Sequence, residues 1–340
     1  MKKRLWATIL SGIMAVSIFG GCALNDKPVE IDKSNLTPLK VAVLSGQPEQ
    51  YAATVGIHQG IFAKYGIDLE IVSCGYGTAA FDAVVSGDAD IAEMYDYEVV
   101  NRIGNTYGIY NYVVFSEMTP ASELSGGLYV APDYVDNLEA LDGSEGFMTT
   151  IGTVNHYFMS RAIEWLGIDY DKQNIMNVES VGTALTLAHE ECATAYVVSG
   201  ANTATIETDE WQQVVSFEEL GITTGTYLVA DKEYVDENSE LIANYLLALE
   251  ESARCINEDI EKNAIRIADT IGTRKKVFKE IWTTYSLTPG FTEEGAVHLN
   301  EIRAWAYDAG HFDAEYDIKE FIDLSVIESV FPDRITVELQ

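Results

Sequence analysis

Short apolar runs alternate with longer amphipathic segments in the first third of the chain. The runs at 39–44, 68–72 and 89–94 are rich in Ala, Val, Ile and Leu, which is typical of buried strands. The segment between Pro48 and Gly66 has a proline at its start and a glycine just past its end, as helices commonly do, and a second helix is predicted at 79–85. Strands and helices in this order predict a parallel sheet covered by helices.

The same order recurs between residues 145 and 199. Strands are predicted at 145–152, 174–180 and 193–199, with helices at 153–166 and 183–190. Two such sets in succession predict two α/β lobes.

Two similar stretches, 126–135 and 225–235, flank the second set. Each has aromatic and β-branched residues, then Ala, a turn and Tyr-Val. We interpret them as strands that cross between the lobes, one outbound and one returning. The first lobe then comprises residues 38–128 and 227–340, and the second lobe, residues 129–226, is an insertion in it.

The chain from Ser239 onward is predicted to be helical. Leu241, Tyr245, Leu249 and Ala253 share one helix face, with acidic residues opposite. Further helices are predicted at 261–271, 274–284, 292–308 and 317–330, the last with Asp317 and Glu320 at capping-box spacing. We expect these helices to pack around the lobes.

The N-terminal residues have the three parts of an export signal. Met1–Arg4 is basic, residues 5–19 are mostly apolar and uncharged, and a Gly-Gly pair precedes Cys22. The apolar run is too short to span a bilayer comfortably. The pattern resembles a bacterial lipoprotein signal, which implies that 1–21 is removed and that Cys22 is acylated. The polar, aperiodic residues that follow predict that 22–37 is a flexible tether. An ordinary signal peptide with a chance cysteine is the alternative.

Composition limits the functional classes. The formal net charge of −33 disfavours nucleic-acid binding, because an acidic surface repels phosphate backbones. The apolar fraction of 47% allows hydrophobic cores. Besides Cys22, the cysteines Cys74, Cys192 and Cys255 form no C-x-x-C motif, so no zinc site is indicated. We interpret them as small apolar packing residues, and a disulfide between two of them stays open.

With these residues in view, the chain resembles the NMT1/THI5-like group of nitrate, sulfonate, taurine and thiamine-precursor binding proteins. The resemblance rests on GIHQGIFAKYGIDLEIV (56–72), AFDAVVSGDADIAEM (80–94), GTVNHYFMSRAIEWLGID (152–169), ATAYVVS (193–199) and TYLVADKEYVDENSELIANYLLAL (226–249). It implies the α/β type II periplasmic-binding-protein fold, with two doubly wound lobes, two crossing strands and C-terminal helices. It also implies a receptor, lipid-anchored on the extracytoplasmic face of the bacterial membrane, that delivers a small solute to an ABC permease and its ATPase. We expect a monomer with no cofactor, no bound metal and no catalytic activity.

The cleft between two such lobes is the expected site, because ligands of open α/β sheets lie beyond the carboxyl ends of the strands. The candidate residues are Ser45, Gln47, Tyr76, Gly77, Thr78, Glu93 and Tyr95 on the first lobe and Gly152, Thr153, Asn155, His156, Ser199 and Asn202 on the second. Helices beginning at Thr78 and Thr153 would point free N–H groups into the cleft, which favours a negative or electron-rich ligand atom.

Each candidate has a local structural alternative. Thr78 and Thr153 are also suitable helix caps, and the tyrosines are also packing residues. Glu93 is alternatively a solvated surface acid, and His156 a histidine without ligand contact.

The charges near these loops indicate the kind of solute. No Arg or Lys lies in the candidate loops, whereas Glu93, Asp96, Tyr76 and Tyr95 offer acceptors and aromatic faces. We therefore predict a neutral or nitrogen-bearing small molecule, such as a pyrimidine precursor of thiamine. A sulfonate, taurine or nitrate anion is the alternative, because backbone amides alone can bind an anion.

An enzyme is the less favoured class. Gly75-x-Gly77-x-x-Ala80 matches a dinucleotide fingerprint only superficially, because it follows the second strand of its lobe. The sequence has no G-x-S-x-G, H-E-x-x-H or P-loop motif. A pyrimidine synthase of the THI5 type shares the implied fold, but the signal peptide argues against it. A sensory or adhesion lipoprotein that uses the same cleft is a third option.

Overall fold

A computed structural model describes residues 27–143, 145–178, 181–190, 192–199, 203, 206 and 210–339. The predicted signal peptide, Cys22 and Asn202 lie outside these described residues. Within them, no helix is both long and apolar enough to cross a membrane.

The first lobe is built on a five-stranded mixed sheet with the order β2-β1-β3-β10-β4. Its strands are β1 (Thr37–Leu44), β2 (Ile67–Cys74), β3 (Ile91–Tyr95), β4 (Tyr112–Glu123) and β10 (Thr223–Asp231). Strands β1, β2 and β3 are parallel, as the sequence predicts, and β10 is antiparallel to both β3 and β4. The carboxyl ends of the three parallel strands therefore meet at one edge of the sheet.

The second lobe is built on a sheet of the same design, with the order β7-β6-β8-β5-β9. Its strands are β5 (Gly126–Val130), β6 (Glu145–Thr149), β7 (Asn174–Asn177), β8 (Ala195–Ser199) and β9 (Gln212–Ser216). Here β6, β7 and β8 are parallel and β5 runs antiparallel between β8 and β9. Each lobe thus consists of three parallel strands extended by an antiparallel strand and an outer strand.

The chain passes between the two sheets twice, but at other places than the sequence predicts. The stretch 126–135 begins with β5, which pairs only within the second sheet, and 225–235 lies largely in β10, which pairs only within the first. The passages are the short connections 124–125 and 217–222. The prediction that these two stretches themselves cross is therefore wrong, because each is held in one sheet by strand pairing on both sides.

The helices cover the sheets and form the C-terminal half of the first lobe. Those of the described residues are α1 (Pro48–Gln59), α2 (Ile61–Lys64), α3 (Gly77–Ser86), α4 (Asp96–Asn105), α5 (Val154–Leu166), α6 (Val181–His189), α7 (Lys232–Glu237), α8 (Ser239–Glu258), α9 (Ile260–Ile271), α10 (Lys275–Thr284), α11 (Glu293–Asp308) and α12 (Ser325–Val330). Helix α4 was not predicted. The segment predicted as one helix after Pro48 is divided at Gly60, whose φ of 73° ends α1.

The predicted helix 317–330 is also divided. Asp317 caps a short 3-10 helix, Ile318–Phe321, by accepting the N–H of Lys319, and α12 follows separately. Its side chain thus acts as a cap, but of a different element.

One cluster of buried apolar side chains joins the two lobes. It includes Ala42 and Met94 of the first sheet together with Leu128 and Phe147 of the second. The lobes therefore share apolar packing as well as two chain connections.

The cysteines differ from the prediction at one position. Cys74 is buried, but Cys192 is exposed, so it does not act as a packing residue. Both are free thiols, and therefore no disulfide joins any two of Cys74, Cys192 and Cys255.

Candidate functional site

The N-terminal ends of α3 and α5 lie close together at the boundary between the lobes. A methyl group at Gly152, just before α5, would lie 3.8 Å from Cγ2 of Thr78 in the first turn of α3. Tyr76, which precedes α3, lies near Tyr196 of the second lobe: burial and then this neighbour raise the pKa of Tyr196 to about 12. The predicted loops around Thr78 and Gly152 therefore lie close to one another.

Glu98 of α4 lies between these two helix ends. Its carboxyl group is fully buried, and its Oε2 accepts the N–H of Gly77 at 2.9 Å and that of Tyr95 at 3.1 Å. Burial raises the pKa of Glu98 to about 8, whereas the N–H groups of Tyr95, Gly77 and Val154 lower it. Because Val154 is the first residue of α5, the Glu98 carboxyl group lies near backbone of both lobes, and its buried Oε1 has no hydrogen-bond partner among the described residues.

Gly77 is required for this close approach. A β-carbon at Gly77 would lie 2.0 Å from Oε2 of Glu98 and 2.9 Å from Cα of Met94. Only glycine leaves room for the carboxyl group against the first N–H of α3. The glycine of the superficial dinucleotide motif thus accommodates a side chain of the protein itself.

A chain of hydrogen bonds beside Glu98 also connects the lobes. The hydroxyl of Tyr97 lies 2.6 Å from Nδ1 of His311 and 3.3 Å from Nδ1 of His156. Nε2 of His156 lies 2.6 Å from the hydroxyl of Tyr170, and Asn101 donates to the Tyr97 hydroxyl at 3.3 Å. Burial, reinforced by the neighbouring His311, lowers the pKa of His156 to about 4, so the imidazole is neutral at pH 7. Neutral imidazole rings can hydrogen-bond in this network without placing a charge between the lobes.

Aromatic rings from both lobes pack around these hydrogen bonds. Tyr97 of the first lobe stacks on Tyr157 of the second, with ring centroids 5.5 Å apart and an angle of 12° between the planes. Trp305 of α11 contacts Tyr157 edge to face at 4.8 Å and lies 5.0 Å from His311. We call the set formed by Gly77, Tyr97, Glu98, Asn101, Trp305 and His311 with Gly152, Val154, His156, Tyr157 and Tyr170 the interlobe contact.

Helix α4 is fixed to its own lobe by Asp96. The buried Asp96 carboxylate accepts hydrogen bonds from the hydroxyl of Thr224 at 3.0 Å and the N–H of Gly225 at 3.1 Å, and it lies 2.7 Å from Nε2 of His298. Burial alone would lower the pKa of His298, but the hydrogen bond to Asp96 raises it. Since Asp96 is satisfied inside the first lobe, it holds α4 in position for the neighbouring Tyr97 and Glu98.

Two arginines lie nearer to this region than the loop sequences indicated. Arg102 donates to the carbonyl oxygen of Thr78 at 3.4 Å and pairs with Asp82 at 3.0 Å. Arg161 stands over the rings of Tyr157 and Trp305. Arg161 also pairs with Glu164, at 3.1 Å. Both guanidinium groups therefore have an acidic partner of their own.

Ser45 lies apart from the interlobe contact. Ser45 lines a cavity of about 600 Å³ that is formed entirely by the first lobe, and its Oγ lies 2.8 Å from Oγ of Ser73. Gln50 donates to the same Ser73 hydroxyl at 2.8 Å and accepts the N–H of Gly46 at 2.7 Å. Gln47 precedes α1 and makes no side-chain cap. We call this cavity the α1 pocket, lined by Ser45, Gly46, Gln50, Thr54, Ile57, Ile71, Ser73, Thr270, Ile271, Gly272 and Thr273.

Glu93 is buried rather than solvated. It is fully inaccessible, and its Oε2 accepts the N–H of Leu44 at 2.8 Å. Burial first, and then the nearby Glu49, raise the pKa of Glu93 well above its ordinary value. The alternative of a surface acid is therefore wrong. Glu93 instead holds the end of β1 through its hydrogen bond with Leu44, the last residue of that strand.

The remaining candidates take different positions. Thr153 is the N-cap of α5 and accepts the N–H of Asn155 at 3.2 Å, whereas Thr78 lies inside the first turn of α3, which begins at Gly77. Tyr95 is the N-cap residue of α4. Ser199 ends β8 opposite Gly126. Asn202 lies outside the described residues.

The sequence analysis missed Glu98, Tyr97, Tyr157, Trp305 and His311. The usable signal was the spacing of Tyr95 and Glu98, three residues apart as in a capping box, followed by Val99, Val100 and Ile103. Within the described part of the chain, no group of three or more His, Cys, Asp or Glu side chains could hold a metal ion.

Comparisons with known proteins agree with this architecture. The sequence profile described as NMT1/THI5 like matches residues 47–261. A search of curated proteins finds no significant match. Among solved structures, the periplasmic aliphatic sulphonate binding protein SsuA from Escherichia coli superposes with a TM-score of 0.67 and 16% identity, over 86% of this chain and 98% of that one.

Two further structures have the same fold. The alkanesulfonate-binding protein SsuA from Xanthomonas axonopodis pv. citri, bound to MOPS, gives a TM-score of 0.68 and 11% identity over 84% of this chain and 98% of its own. The periplasmic nitrate-binding protein NrtA from Synechocystis PCC 6803 gives 0.63 and 12% over 88% and 89%. These likenesses confirm the type II periplasmic-binding-protein fold. With a family profile matched over more than half of its length, the chain belongs to the NMT1/THI5-like family.

Proposed function

We propose that the protein is the extracytoplasmic solute-binding component of an ABC importer. The observation that carries the proposal is the interlobe contact itself: two separate sheets are joined by two short connections and meet through polar and aromatic groups of both lobes. A solute held there touches both lobes, so binding favours closure, and a permease can distinguish the closed form. The protein acts by binding, as a monomer, and the permease with its ATPase completes the importer.

The solute is a neutral or nitrogen-bearing small molecule, for which an aminopyrimidine is our best candidate. The carboxyl group of Glu98, the imidazoles of His156 and His311 and the amide of Asn101 offer both donors and acceptors to ring nitrogens and amino groups. Oδ1 of Asn155 has no hydrogen-bond partner among the described residues. Tyr97 and Tyr157 supply aromatic faces from opposite lobes.

An anionic solute is the second candidate, because the N-termini of α3 and α5 converge where the two lobes meet. The sulphonate and nitrate binding described for the structural neighbours agrees with that alternative. Against it, the N–H of Gly77 is already bonded to Glu98, and both nearby arginines have acidic partners.

Calorimetry with an aminopyrimidine and an alkanesulfonate separates the two candidates. We expect heat of binding with the aminopyrimidine and none with the alkanesulfonate. Tight alkanesulfonate binding without aminopyrimidine heat would reverse the assignment of the solute. Small-angle scattering on the saturated protein then tests closure, for which the radius of gyration must fall.

We further propose that Cys22 is acylated and holds the protein on the extracytoplasmic face of the membrane. The support is the order of basic, apolar and Gly-Gly-Cys segments at the N-terminus. The Cys22→Ala variant should move from the membrane fraction to the soluble extracytoplasmic fraction. Retention of this variant on membranes would contradict the lipid anchor.

A further inference from the structure

The N–H groups at the start of α3 and α5 would form an anion-binding position if nothing else occupied it. Both helices are long enough to carry a partial positive charge at their first turn, α3 with 10 residues and α5 with 13. They approach from different lobes, as the closeness of Gly152 to Thr78 indicates. The backbone N–H of Tyr95 is a third donor at the same place.

We propose that Glu98 occupies this position with its own carboxyl group, so that it excludes anionic solutes and restricts the protein to neutral or cationic ones. This inference rests on the proposed function and specifies the charge class of its solute. Glu98 thereby determines specificity as a side chain that fills the place of a ligand group, rather than one that only caps α4.

Three observations distinguish this role from simple capping. A capping-box glutamate needs only the N–H of its own N-cap residue, here Tyr95, and is normally at the surface. Glu98 is instead fully buried and accepts the Gly77 N–H of a second helix. The absence of a side chain at Gly77 gives the carboxyl group space that a β-carbon would fill.

A surface glutamate offers an internal comparison. Oε2 of Glu219 accepts the N–H and the hydroxyl of Ser216, both at 2.8 Å, in an exposed turn of the second lobe. Its backbone contact is similar, but no second helix end converges on it. Removal of Glu219 should therefore free an N–H group without creating an anion site.

The test measures sulfate and ethanesulfonate binding by calorimetry at matched ionic strength. Glu98→Ala should bind sulfate at least about tenfold more tightly than the wild type, because its truncation frees the N–H groups of Gly77 and Tyr95 beside that of Val154. Glu98→Gln keeps an oxygen acceptor of the same size and should resemble the wild type. Glu219→Ala should also show no gain.

Circular dichroism establishes that each variant is folded. If Glu98→Ala does not fold, Glu98→Ser replaces it, since serine is also short and tolerates the first helical turn. A folded Ala or Ser variant with no more sulfate affinity than the wild type would overturn the inference and leave the proposed transport function untouched. If no solute of the screen binds but Glu98→Ala gains clear affinity for sulfate, the inference is upheld and the proposed transport function is contradicted.

Discussion

The α1 pocket and the interlobe contact both lie where strands of the first sheet end, yet their polar groups are satisfied in different ways. In the α1 pocket, Ser45 and Gln50 both hydrogen-bond to Ser73, none of the described residues that line the wall is charged, and about 600 Å³ is open. In the interlobe contact, Glu98 and Tyr97 bond to groups of other helices. The α1 pocket should therefore lose a hydroxyl with little change in stability, whereas the stability of the interlobe contact depends on close packing.

Among the substitutions, the largest expected effect comes from closing the space beside Glu98. Gly77→Ala should lower the free energy of unfolding by about 4 kcal/mol, because the new methyl group overpacks the site and separates a buried carboxyl group from its donor. Gly75→Ala, in the same turn, meets no atom within 4 Å and is the matched control. Urea unfolding measures both, and equal stabilities for the two variants would contradict the close fit.

The pH dependence of stability isolates the carboxyl group. Burial raises the pKa of Glu98 to about 8, so the protonated form stabilises the fold below pH 4.5 and this contribution is lost as the pH rises from about 4.5 to about 8. Each unit of displaced pKa corresponds to about 1.4 kcal/mol, so the shift from 4.5 to about 8 corresponds to a total on the order of 5 kcal/mol. The Glu98→Gln variant should not lose stability through this group between pH 4.5 and pH 8.

Glu219→Gln provides the comparison for that titration. The hydrogen bonds from Ser216 lower the pKa of Glu219, which is exposed, so the loss of stability between pH 4.5 and 8 should stay as in the wild type. Parallel stability profiles for wild type and Glu98→Gln would show that Glu98 does not titrate in this range.

A smaller effect is expected from the hydroxyl at the centre of the interlobe contact. Tyr97→Phe removes the group bonded to His311 and His156 while it keeps the ring stacked on Tyr157. The free energy of unfolding should fall by about 1.5 kcal/mol. Tyr110→Phe, at a ring that is 42% exposed, should change it by less than about 0.5 kcal/mol. If the Tyr97→Phe variant is as stable as Tyr110→Phe, the Tyr97 hydroxyl does not stabilise the interlobe contact.

The smallest effect is expected in the α1 pocket. Ser73→Ala removes hydrogen bonds to Ser45 and Gln50, but Ser73 is exposed and water replaces them. The expected change is within about 0.5 kcal/mol, measured by the same urea titration. A loss as large as that of Gly77→Ala would mean that the two regions do not differ as described.

The strands, most helices and the approach of two loops could be predicted from the sequence, because they follow from local apolar patterns and from the geometry of parallel strands. The sequence did not reveal α4, because this helix begins directly after β3 with no turn residues between them, and several of its buried residues, such as Asp96, Glu98 and Asn101, are polar. It also could not show that Ser45 and Gly77, both just after strand ends, would face different spaces. That distinction depends on where the second lobe packs against the first.

The most direct test of the central claim follows the backbone amides of Gly77 and Val154 by NMR between pH 6 and 10. If one carboxyl group interacts with both lobes, the two amide signals should shift together with a common midpoint near pH 8, and neither shift should occur in Glu98→Gln. A Val154 signal that stays constant while the Gly77 signal titrates would contradict the claim that Glu98 connects the lobes.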